Sequence, residues 1–373
     1  MGVAGLGFKL GGKMKRTMKK SIAIIGGGVI GLSAAYHLAR RGARVTVIDG
    51  ATPGGGATAG SFAWINAASM NGSTDYYRLR LQSLLELQRF ERDLALPVKH
   101  GGRLEWRDDE GDLAREYAIL AGLGYAVQWL DREDVSGLEP ALIDPPERAV
   151  FTALESSLDP EVMISCLVAG AERLGVEIRG GCRVTGFTVE QGAVRGVTVE
   201  DGSVEADCVV LAAGVDSEAL AATVGLRLPM ANSPGLLTHT APAPPLLGRV
   251  VLTPTVHMKQ DLDGRIVAAW DFAGGPVPDD IEREGERLLA AITALLRLEE
   301  PLVLDDITVA LRPQPEDGFP IVGFAKGPDN LYVTVMHSGI TLAPLIGRLA
   351  AAEILDGVVA ELLAPFRPNR YNQ

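Results

Sequence analysis

The residues of this chain whose types and spacing most clearly indicate chemistry are three glycines and an acid. Gly26, Gly28 and Gly31 satisfy the pattern G-x-G-x-x-G directly after an apolar run, and Asp49 lies 18 residues after Gly31. In this pattern the first glycine permits a tight turn, the second lets the backbone approach a pyrophosphate, and the third lets a helix pack close to a strand. Asp49 is placed to accept hydrogen bonds from an adenosine ribose. The unit therefore predicts a dinucleotide site. The alternative is a βαβ unit that holds no ligand.

The stretch that must position these residues reads as strand, helix and strand between residues 21 and 49. The helix N-terminus then faces the phosphates with free N–H groups and a partial positive charge. A loop of small residues follows at 51–60, where Gly60 and Ser61 could let backbone amides approach the rest of a long cofactor. The alternative for this loop is a flexible surface segment.

Further along, the periodicity alternates between helix and strand. Apolar positions at helical spacing predict amphipathic helices over 75–95, near 110–122 and over about 279–296, each with one solvated face. Asp159 and Pro160 form a helix start, with the periodic run ending at Gly175. The run 207–214 is a short apolar strand that ends in small residues, as expected of a parallel strand buried on both faces. Strands are also predicted at 176–179, 183–190, 193–200, 249–255, 265–271, 305–312 and 331–335, with a turn at 313–318 and a helix from 341 to about 355.

The chain has 373 residues, of which 47% are hydrophobic and 22% are charged, and this is the composition of an ordinary globular protein. Residues 1–20 contain six basic side chains and no acid, so the remainder carries 29 basic against 47 acidic residues and a net charge of −18. An acidic body argues against nucleic acid as a partner. The basic head is read as a disordered tail or an over-long start, with membrane contact at most peripheral. No run approaches the length of a membrane span.

The cysteines of the chain do not suggest a redox or metal centre. Cys166, Cys182 and Cys208 are scattered and no C-x-x-C occurs. Free thiols in a reducing cytoplasm are the simplest interpretation, and no metal site is expected.

Four separated blocks give the chain a resemblance to the D-amino-acid oxidase superfamily of FAD-dependent oxidoreductases, in its glycine oxidase and sarcosine oxidase branch. These blocks are IIGGGVIGLSAAYHLARRGARVTVID, LDPEVMISCLVAGAERLGVEI, VVLAAG, and LRPQPEDGFPIVG with VTVMHSGITLAP. The first block alone fits many nucleotide-binding enzymes, and the last two narrow the resemblance. One departure is Met336, where the family has a glycine before the histidine, which implies altered packing beside the flavin.

The resemblance implies an α/β fold, with a Rossmann-like FAD-binding domain and an inserted α+β substrate domain. The FAD-binding domain takes residues 21–90, 155–225 and 305–365, and the substrate domain takes 91–154 and 226–304. FAD is expected to bind without a covalent bond. A helix N-terminus at 339–341 would face the pyrimidine edge of the flavin, where the reduced ring carries negative charge. The cofactor-binding residues implied, together with the glycine motif, are Gly26, Gly28, Val29, Ile30, Gly31, Asp49, Gly60, Ser61, Val184, Ala213, Gly214, Gly339, Ile340 and Thr341.

On the substrate side, the resemblance implies that Arg312 grips a carboxylate, since a guanidinium matches that group with two parallel donors. The alternative is a structural salt bridge. His337 is either catalytic or a packed, capping residue. Lys259 could sit over the flavin and attract superoxide during reoxidation, or be a solvated lysine. His257, Trp64 and Asn66 are further pocket candidates.

The activity that the resemblance implies is oxidation of the C–N bond of a small amino acid or secondary amine, with oxygen or a quinone-type carrier as the acceptor. Flavin does the redox work, and the protein binds and orients it. Three alternatives stay open: an oxidase of 2-hydroxy acids on the same scaffold, a flavin-holding subunit of a larger complex, and an NAD-dependent dehydrogenase that uses the 21–49 unit alone. A homo-oligomer is possible.

Overall fold

The computed structural model describes residues 19–269 and 276–371. The helices, numbered in chain order, are α1 Val29–Arg40, α2 Thr74–Leu94, α3 Glu110–Gly122, α4 Arg132–Leu138, α5 Pro160–Arg173, α6 Ser217–Ala222, α7 Ile281–Leu295 and α8 Gly339–Asp356. The strands are β1 Ser21–Ile25, β2 Arg44–Ile48, β3 Trp64–Ile65, β4 Arg103–Glu105, β5 Val127–Asp131, β6 Arg148–Thr152, β7 Ser156–Ser157, β8 Glu177–Arg179, β9 Val184–Glu190, β10 Ala193–Val199, β11 Gly202–Glu205, β12 Cys208–Leu211, β13 Met230–Ala231, β14 Pro234–Thr240, β15 Val250–Leu252, β16 His257–Gln260, β17 Ile266–Ala269, β18 Leu304–Leu311, β19 Gln314–Pro315, β20 Ile321–Phe324 and β21 Leu331–Val335.

The first layer of the fold is a six-stranded sheet in the order β20-β21-β12-β1-β2-β8. Its pairs are parallel except for β20 with β21. Ile25 pairs with both Leu211 and Ile48, so the carboxyl ends of β12, β1 and β2 meet at one edge. Ligands of open α/β sheets bind outside that edge.

Continuous apolar runs explain why these strands are central. Alternate residues of β1 enter different cores: Ile22 and Ile24 pack with α1, α2, α5 and α8, whereas Ala23 and Ile25 pack with β9 and β10. Helices thus cover one face, and the three-stranded sheet β11-β10-β9 covers the other. Because the sheet is covered on both faces, its strands carry apolar residues at successive positions, without the alternation of apolar and polar residues that is typical of a half-exposed strand.

The second layer is an eight-stranded sheet in the order β18-β14-β17-β16-β15-β4-β6-β5. Its strands come from residues 103–152 and 234–311, and the helices α4 and α7 pack on it around an apolar core that contains Leu288 and Ile292. The strand β18 pairs with β14 along its length. The chain therefore returns to the six-stranded sheet only at β20, whereas the sequence places residues from 305 onward in the cofactor domain.

Most of the predicted elements are present within a residue or two of their expected ends. Asp159 accepts hydrogen bonds from the backbone N–H groups of Glu161 and Val162, which confirms it as the helix cap. Several features of the structure were not predicted, among them the strands β6, β14, β16 and β20, the hairpin strand β11, the helices α4 and α6, and the pairing of β19 with β13 inside the expected turn at 313–318. The predicted strand 265–271 is present up to Ala269, and its last two residues lie outside the described ranges.

Within those ranges, no helix has the length and apolar character needed to cross a membrane. The basic head, apart from Lys19 and Lys20, lies outside the described residues, so its predicted disorder stays a prediction. Lys20 donates a hydrogen bond from Nζ to the carbonyl of Ile354 at 2.9 Å, which ties the start of β1 to the end of α8.

Candidate active site

A cleft of about 1220 Å³ opens at the carboxyl edge of the six-stranded sheet. It is lined by residues from every segment that was predicted to bind the cofactor: the glycine motif, the small-residue loop, the start of β9, the end of β12 and the N-terminus of α8, and by the residues after β18. All of the predicted cofactor-binding residues line it except Gly31. A volume of this size accommodates a ligand larger than a typical drug molecule.

The glycine motif has the local geometry that its spacing predicts. Gly26 has φ of +101°, and a Cβ there would come within 2.3 Å of the carbonyl oxygen of Ala212. A Cβ on Gly31 would come within 2.0 Å of the carbonyl oxygen of Gly26. Gly31 therefore allows α1 to pack against the turn and does not itself face the ligand, which explains its absence from the cleft wall.

Asp49 has two backbone partners in addition to its place in the cleft. Its Oδ2 accepts a hydrogen bond from the N–H of Gly27 at 2.6 Å, and its Oδ1 accepts one from the N–H of Ala51 at 2.8 Å. The carboxylate thus braces the glycine turn against the small-residue loop. Each carboxylate oxygen can accept a further bond, so a ribose hydroxyl remains a compatible partner.

Thr58, which the sequence did not single out, lies at the N-terminus of α1. Its Oγ1 accepts a hydrogen bond from the N–H of Val29 at 3.2 Å. Next to it, Gly60 lies against β18, where a Cβ would come within 2.4 Å of the Cβ of Ala310. The end of the loop at 51–60 is therefore packed between the N-terminus of α1 and the eight-stranded sheet rather than being a free surface segment.

The turn before α8 is the most constrained part of the cleft. Ser338, which caps this helix, has φ of 60° and ψ of 31°, in the left-handed region that residues other than glycine rarely adopt. Such conformations persist where the surrounding contacts impose them, and they concentrate at functional sites. Gly339, Ile340 and Thr341, which follow the turn and form the first turn of α8, line the cleft.

Arg312 and His337 meet in the same cleft, as the sequence interpretation requires. Arg312 lies against Gly235, where a Cβ would come within 2.6 Å of Nη2. His337 is partly buried, and loss of contact with water lowers its pKa to about 4, with the positive charges of Arg312 and Arg80 adding to the effect. His337 is therefore neutral at physiological pH.

Lys259 is not where either sequence interpretation placed it. The residue is 1% exposed and lies outside the cleft, so it is not a solvated lysine. Its Nζ donates to the carbonyl oxygen of Leu158 at 2.7 Å and forms an ion pair with Asp261. These contacts hold the ammonium between β16 and the segment before α5, so Lys259 joins the two layers of the fold and is not part of the cleft lining. The ring of Phe62, which does line the cleft, has its centroid 5.9 Å from Nζ.

Of the other pocket candidates, Trp64 and Asn66 line the cleft, and His257 lines a second cavity of about 600 Å³ behind Trp64. Met336 is buried in the core beside α8. None of the three cysteines lines the cleft, so no thiol is placed for attachment to a cofactor. Within the part of the chain that is described, no group of three or more potential ligand side chains could hold a metal ion.

Arg80 is a cleft residue that the sequence interpretation missed. It lies on α2, is 1% exposed, and its Nη1 donates to Ser338 Oγ at 2.7 Å. The helix was expected to carry its charges on a solvated face. Arg80 follows Tyr76 and precedes Leu84 by four residues each, however, and both of those side chains are buried. The sequence signal that could have identified Arg80 as buried is therefore a charged residue on the apolar face of an amphipathic helix.

The fold and cleft together define a dinucleotide-binding oxidoreductase of the two-layer α/β type, and comparison with known proteins makes this specific. The chain belongs to the family of FAD-dependent oxidoreductases, whose sequence model matches residues 21–353. It is a D-amino-acid-oxidase-type flavoenzyme of the glycine oxidase-like branch, and it uses FAD.

Relatives at moderate identity cover almost the whole chain. Glycine oxidase of Bacillus licheniformis is 28% identical over 93% of this chain and 96% of its own. Glycine oxidase of Pseudomonas putida is 29% identical over 94% and 99%. The crystal structure of glycine oxidase from Geobacillus kaustophilus superposes with a TM-score of 0.85 at 25% identity, covering 94% of this chain and 99% of the other.

The residues of the cleft fit FAD. Gly26 and Gly28 leave room for a pyrophosphate at the N-terminus of α1, and Asp49 lies at the end of β2 beside it. Val184, Ala213 and Gly214 line the same cleft as Asp49 and would hold the adenosine part of the cofactor. With FAD bound in this way, the flavin ring would lie beside the constrained turn at 338–341, Arg312 and His337, and this part of the cleft is called the flavin end.

Proposed function

We propose that this enzyme oxidises the C–N bond of a small amino acid or secondary amine that carries a carboxylate. The observation that supports the proposal is that Arg312 lines the cleft together with His337 and acts on it electrostatically. The names of its relatives, glycine oxidases, support an amino acid of small size. The cofactor is proposed to be held without a covalent bond.

The residues of the chain bind and orient the substrate in this proposal. Arg312 binds the carboxylate through two parallel N–H···O bonds, which fixes the direction of the α-carbon. FAD supplies the redox chemistry by accepting a hydride from that carbon, which leaves an imine that water hydrolyses. His337, being neutral, places no second positive charge beside the substrate amine, so the amine can bind in its uncharged form.

The acceptor that reoxidises the enzyme is proposed to be oxygen or a quinone-type carrier. Lys259 cannot attract superoxide at the flavin, because its ammonium is buried against Leu158 and Asp261. Fast reoxidation by oxygen would therefore rely on other cations of the cleft. A cytoplasmic location and a homo-oligomeric state stay predictions of the sequence.

The test is to purify the protein with its flavin and add single compounds without oxygen. The panel contains glycine, sarcosine, D- and L-amino acids, N-methyl amines without a carboxylate, and 2-hydroxy acids. We expect one of the carboxylate-bearing amines to bleach the flavin absorbance. Readmitting air and timing the return of colour then separates an oxidase from a dehydrogenase.

Each other outcome has a definite meaning. Bleaching by a 2-hydroxy acid alone would move the activity to C–O bonds, since Arg312 would hold either carboxylate. Bleaching only by amines that lack a carboxylate would contradict the role of Arg312. A flavin that no compound bleaches would favour a flavin-holding subunit of a larger complex.

A further inference from the structure

Arg80 is a fully buried guanidinium whose hydrogen-bond acceptors are all uncharged. Its Nε donates to the carbonyl oxygen of Asn66 at 3.0 Å and its Nη2 to Asn66 Oδ1 at 2.7 Å. Its Nη1 donates to Tyr76 Oη at 3.1 Å and to Ser338 Oγ at 2.7 Å. The ring of Tyr76 lies 5.2 Å from the guanidinium carbon. The positive charge is thus solvated by dipoles.

Among residues 19–269 and 276–371, no carboxylate forms an ion pair with Arg80. Arg103, which is equally buried, lies in ion-pair distance of Glu105, Glu116 and Glu155. Burial of an unpaired charge is costly, and buried charges are normally paired. The missing negative charge therefore indicates that a ligand supplies it.

The position of Arg80 shows which ligand edge is close. Asn66, Tyr76, Arg80 and Ser338 all line the cleft. Ser338 occupies the N-cap position of α8 and accepts a hydrogen bond from Arg80, so the guanidinium lies at the N-terminus of the helix whose first residues line the cleft. A helix N-terminus carries about half a positive charge, and Arg80 adds a whole one. The combined field favours negative charge at that point of the cleft.

We propose that Arg80 stabilises the negative charge that the flavin acquires on reduction and thereby raises the midpoint potential of the bound flavin. Hydride transfer adds two electrons and one proton to the ring, which leaves one negative charge on its N1–C2=O edge. The substrate carboxylate is assigned to Arg312 by the proposed function. The inference depends on FAD binding and not on which amine is the substrate.

The experiment measures the flavin potential in variants, by equilibration with a reference redox dye and without substrate. Arg80→Gln removes the charge and Arg80→Lys keeps it. Arg78→Gln removes the same charge from the exposed side of the same helix, where the side chain is 69% exposed. We expect Arg80→Gln to lower the ratio of reduced to oxidised flavin at least tenfold at a fixed dye potential, or about 30 mV for a two-electron couple. Arg80→Lys should recover most of this shift, and Arg78→Gln should stay within twofold of the wild type.

A second variant tests the proposal without removing the guanidinium, in case Arg80→Gln does not fold. Asn66 Oδ1 accepts hydrogen bonds from Arg80 Nη2 and from the N–H of Ser69 at 3.0 Å. Asn66→Asp keeps an oxygen that can accept both hydrogen bonds and keeps the shape of the side chain, but it pairs the charge of Arg80 with a carboxylate. We expect it to lower the ratio of reduced to oxidised flavin in the same direction as Arg80→Gln.

Three results would overturn the proposal. Unchanged flavin potentials in Arg80→Gln and Asn66→Asp would show that the charge does not reach the flavin. Equal losses in Arg80→Gln and Arg80→Lys, with no effect of Asn66→Asp, would show that the shape of the side chain matters and its charge does not. An unchanged potential with weaker binding of acetate, followed by the flavin spectrum, would make Arg80 part of the carboxylate site.

Discussion

Replacing Arg312 by Met is the most informative perturbation of the proposed activity. The guanidinium is half-buried, lies against Gly235 and acts electrostatically on His337, so its loss removes both a hydrogen-bonding fork and a charge from the flavin end of the cleft. Methionine fills a similar volume without either property. The change therefore isolates carboxylate recognition from packing.

The expected magnitude follows from the burial of the pair. Truncating one partner of a buried, hydrogen-bonded charge pair costs about 2–5 kcal/mol. Because Arg312 keeps part of its surface in water, we expect the lower part of that range, about 2–3 kcal/mol. At about 1.36 kcal/mol for each factor of ten, kcat/KM should fall about 30- to 150-fold. Arg312→Lys keeps the charge but loses the fork, so we expect a loss of intermediate size.

The assay compares two substrates and two variants. With a carboxylate-bearing substrate, Arg312→Met should raise KM strongly; with an amine of similar size that lacks a carboxylate, it should change kcat/KM less than threefold. Arg183→Met is the matched control, since Arg183 lines the same cleft beside Gly50 and is 62% exposed. NMR titration of His337 should show its pKa rising from about 4 once the charge of Arg312 is gone.

The reasoning would be refuted by an equal loss of kcat/KM on both substrates. That result would mean that Arg312 supports the flavin or the fold and does not read the carboxylate. A KM within threefold of the wild type on the carboxylate-bearing substrate would refute it equally.

Three further predictions follow from the same geometry. Gly31→Ala places a methyl group 2.0 Å from the carbonyl oxygen of Gly26, so it should strongly reduce the flavin absorbance per protein, while Gly137→Ala, with nothing within 4 Å of its Cβ, should not. Gly235→Ala places a Cβ 2.6 Å from Arg312 Nη2, which displaces the guanidinium and should raise the KM of the carboxylate-bearing substrate several-fold in steady-state assays. Gly186→Ala is the control, because nothing lies within 4 Å of a Cβ at that position, and equal KM values in the two variants would contradict the packing argument. Burial lowers the pKa of His37 and of His337 from an ordinary value near 6.5 to about 4. As the pH drops from 7 to 4, the two histidines therefore become protonated in the unfolded chain before they do so in the folded protein. The free energy of unfolding should fall over this range by up to about 3 kcal/mol for each histidine. Urea unfolding at several pH values checks this: His37→Phe should flatten the slope, and an unchanged slope would contradict the shift.

The sequence predicts the cofactor half of this enzyme well because that half is built from local signals. A glycine at positive φ, a helix that approaches a turn closely and an acid after the second strand each need a particular residue type at a particular spacing. Gly26 and Gly31 show this directly, since a Cβ at either would overlap a carbonyl oxygen. These residue types and spacings occur within fewer than 30 consecutive residues, so they can be recognised without knowledge of the tertiary structure.

The substrate half is less predictable because its side chains are placed by long-range pairing. Lys259 looks like a solvated lysine in the sequence, with Gln260 and Asp261 after it. In the fold, β16 is an inner strand of the eight-stranded sheet, between β15 and β17, and its side chains are covered. Nothing within a few residues of Lys259 indicates that its ammonium donates a hydrogen bond to the carbonyl oxygen of Leu158, since this partner lies 101 residues away.

The charge of the cleft is likewise a tertiary property, and it is the part of the site on which the chemistry depends. Arg80, Arg312 and His337 come from a helix, the end of an edge strand and a turn, and no local pattern links them. Their proximity has a clear electrostatic consequence: two guanidinium groups favour the neutral form of the imidazole and negative charge on whatever lies between them. A flavin that becomes anionic on reduction and a substrate that carries a carboxylate each meet that field. The assignment of one arginine to each anion is therefore the simplest distribution of charge, and the Arg80 and Arg312 variants test its two halves separately.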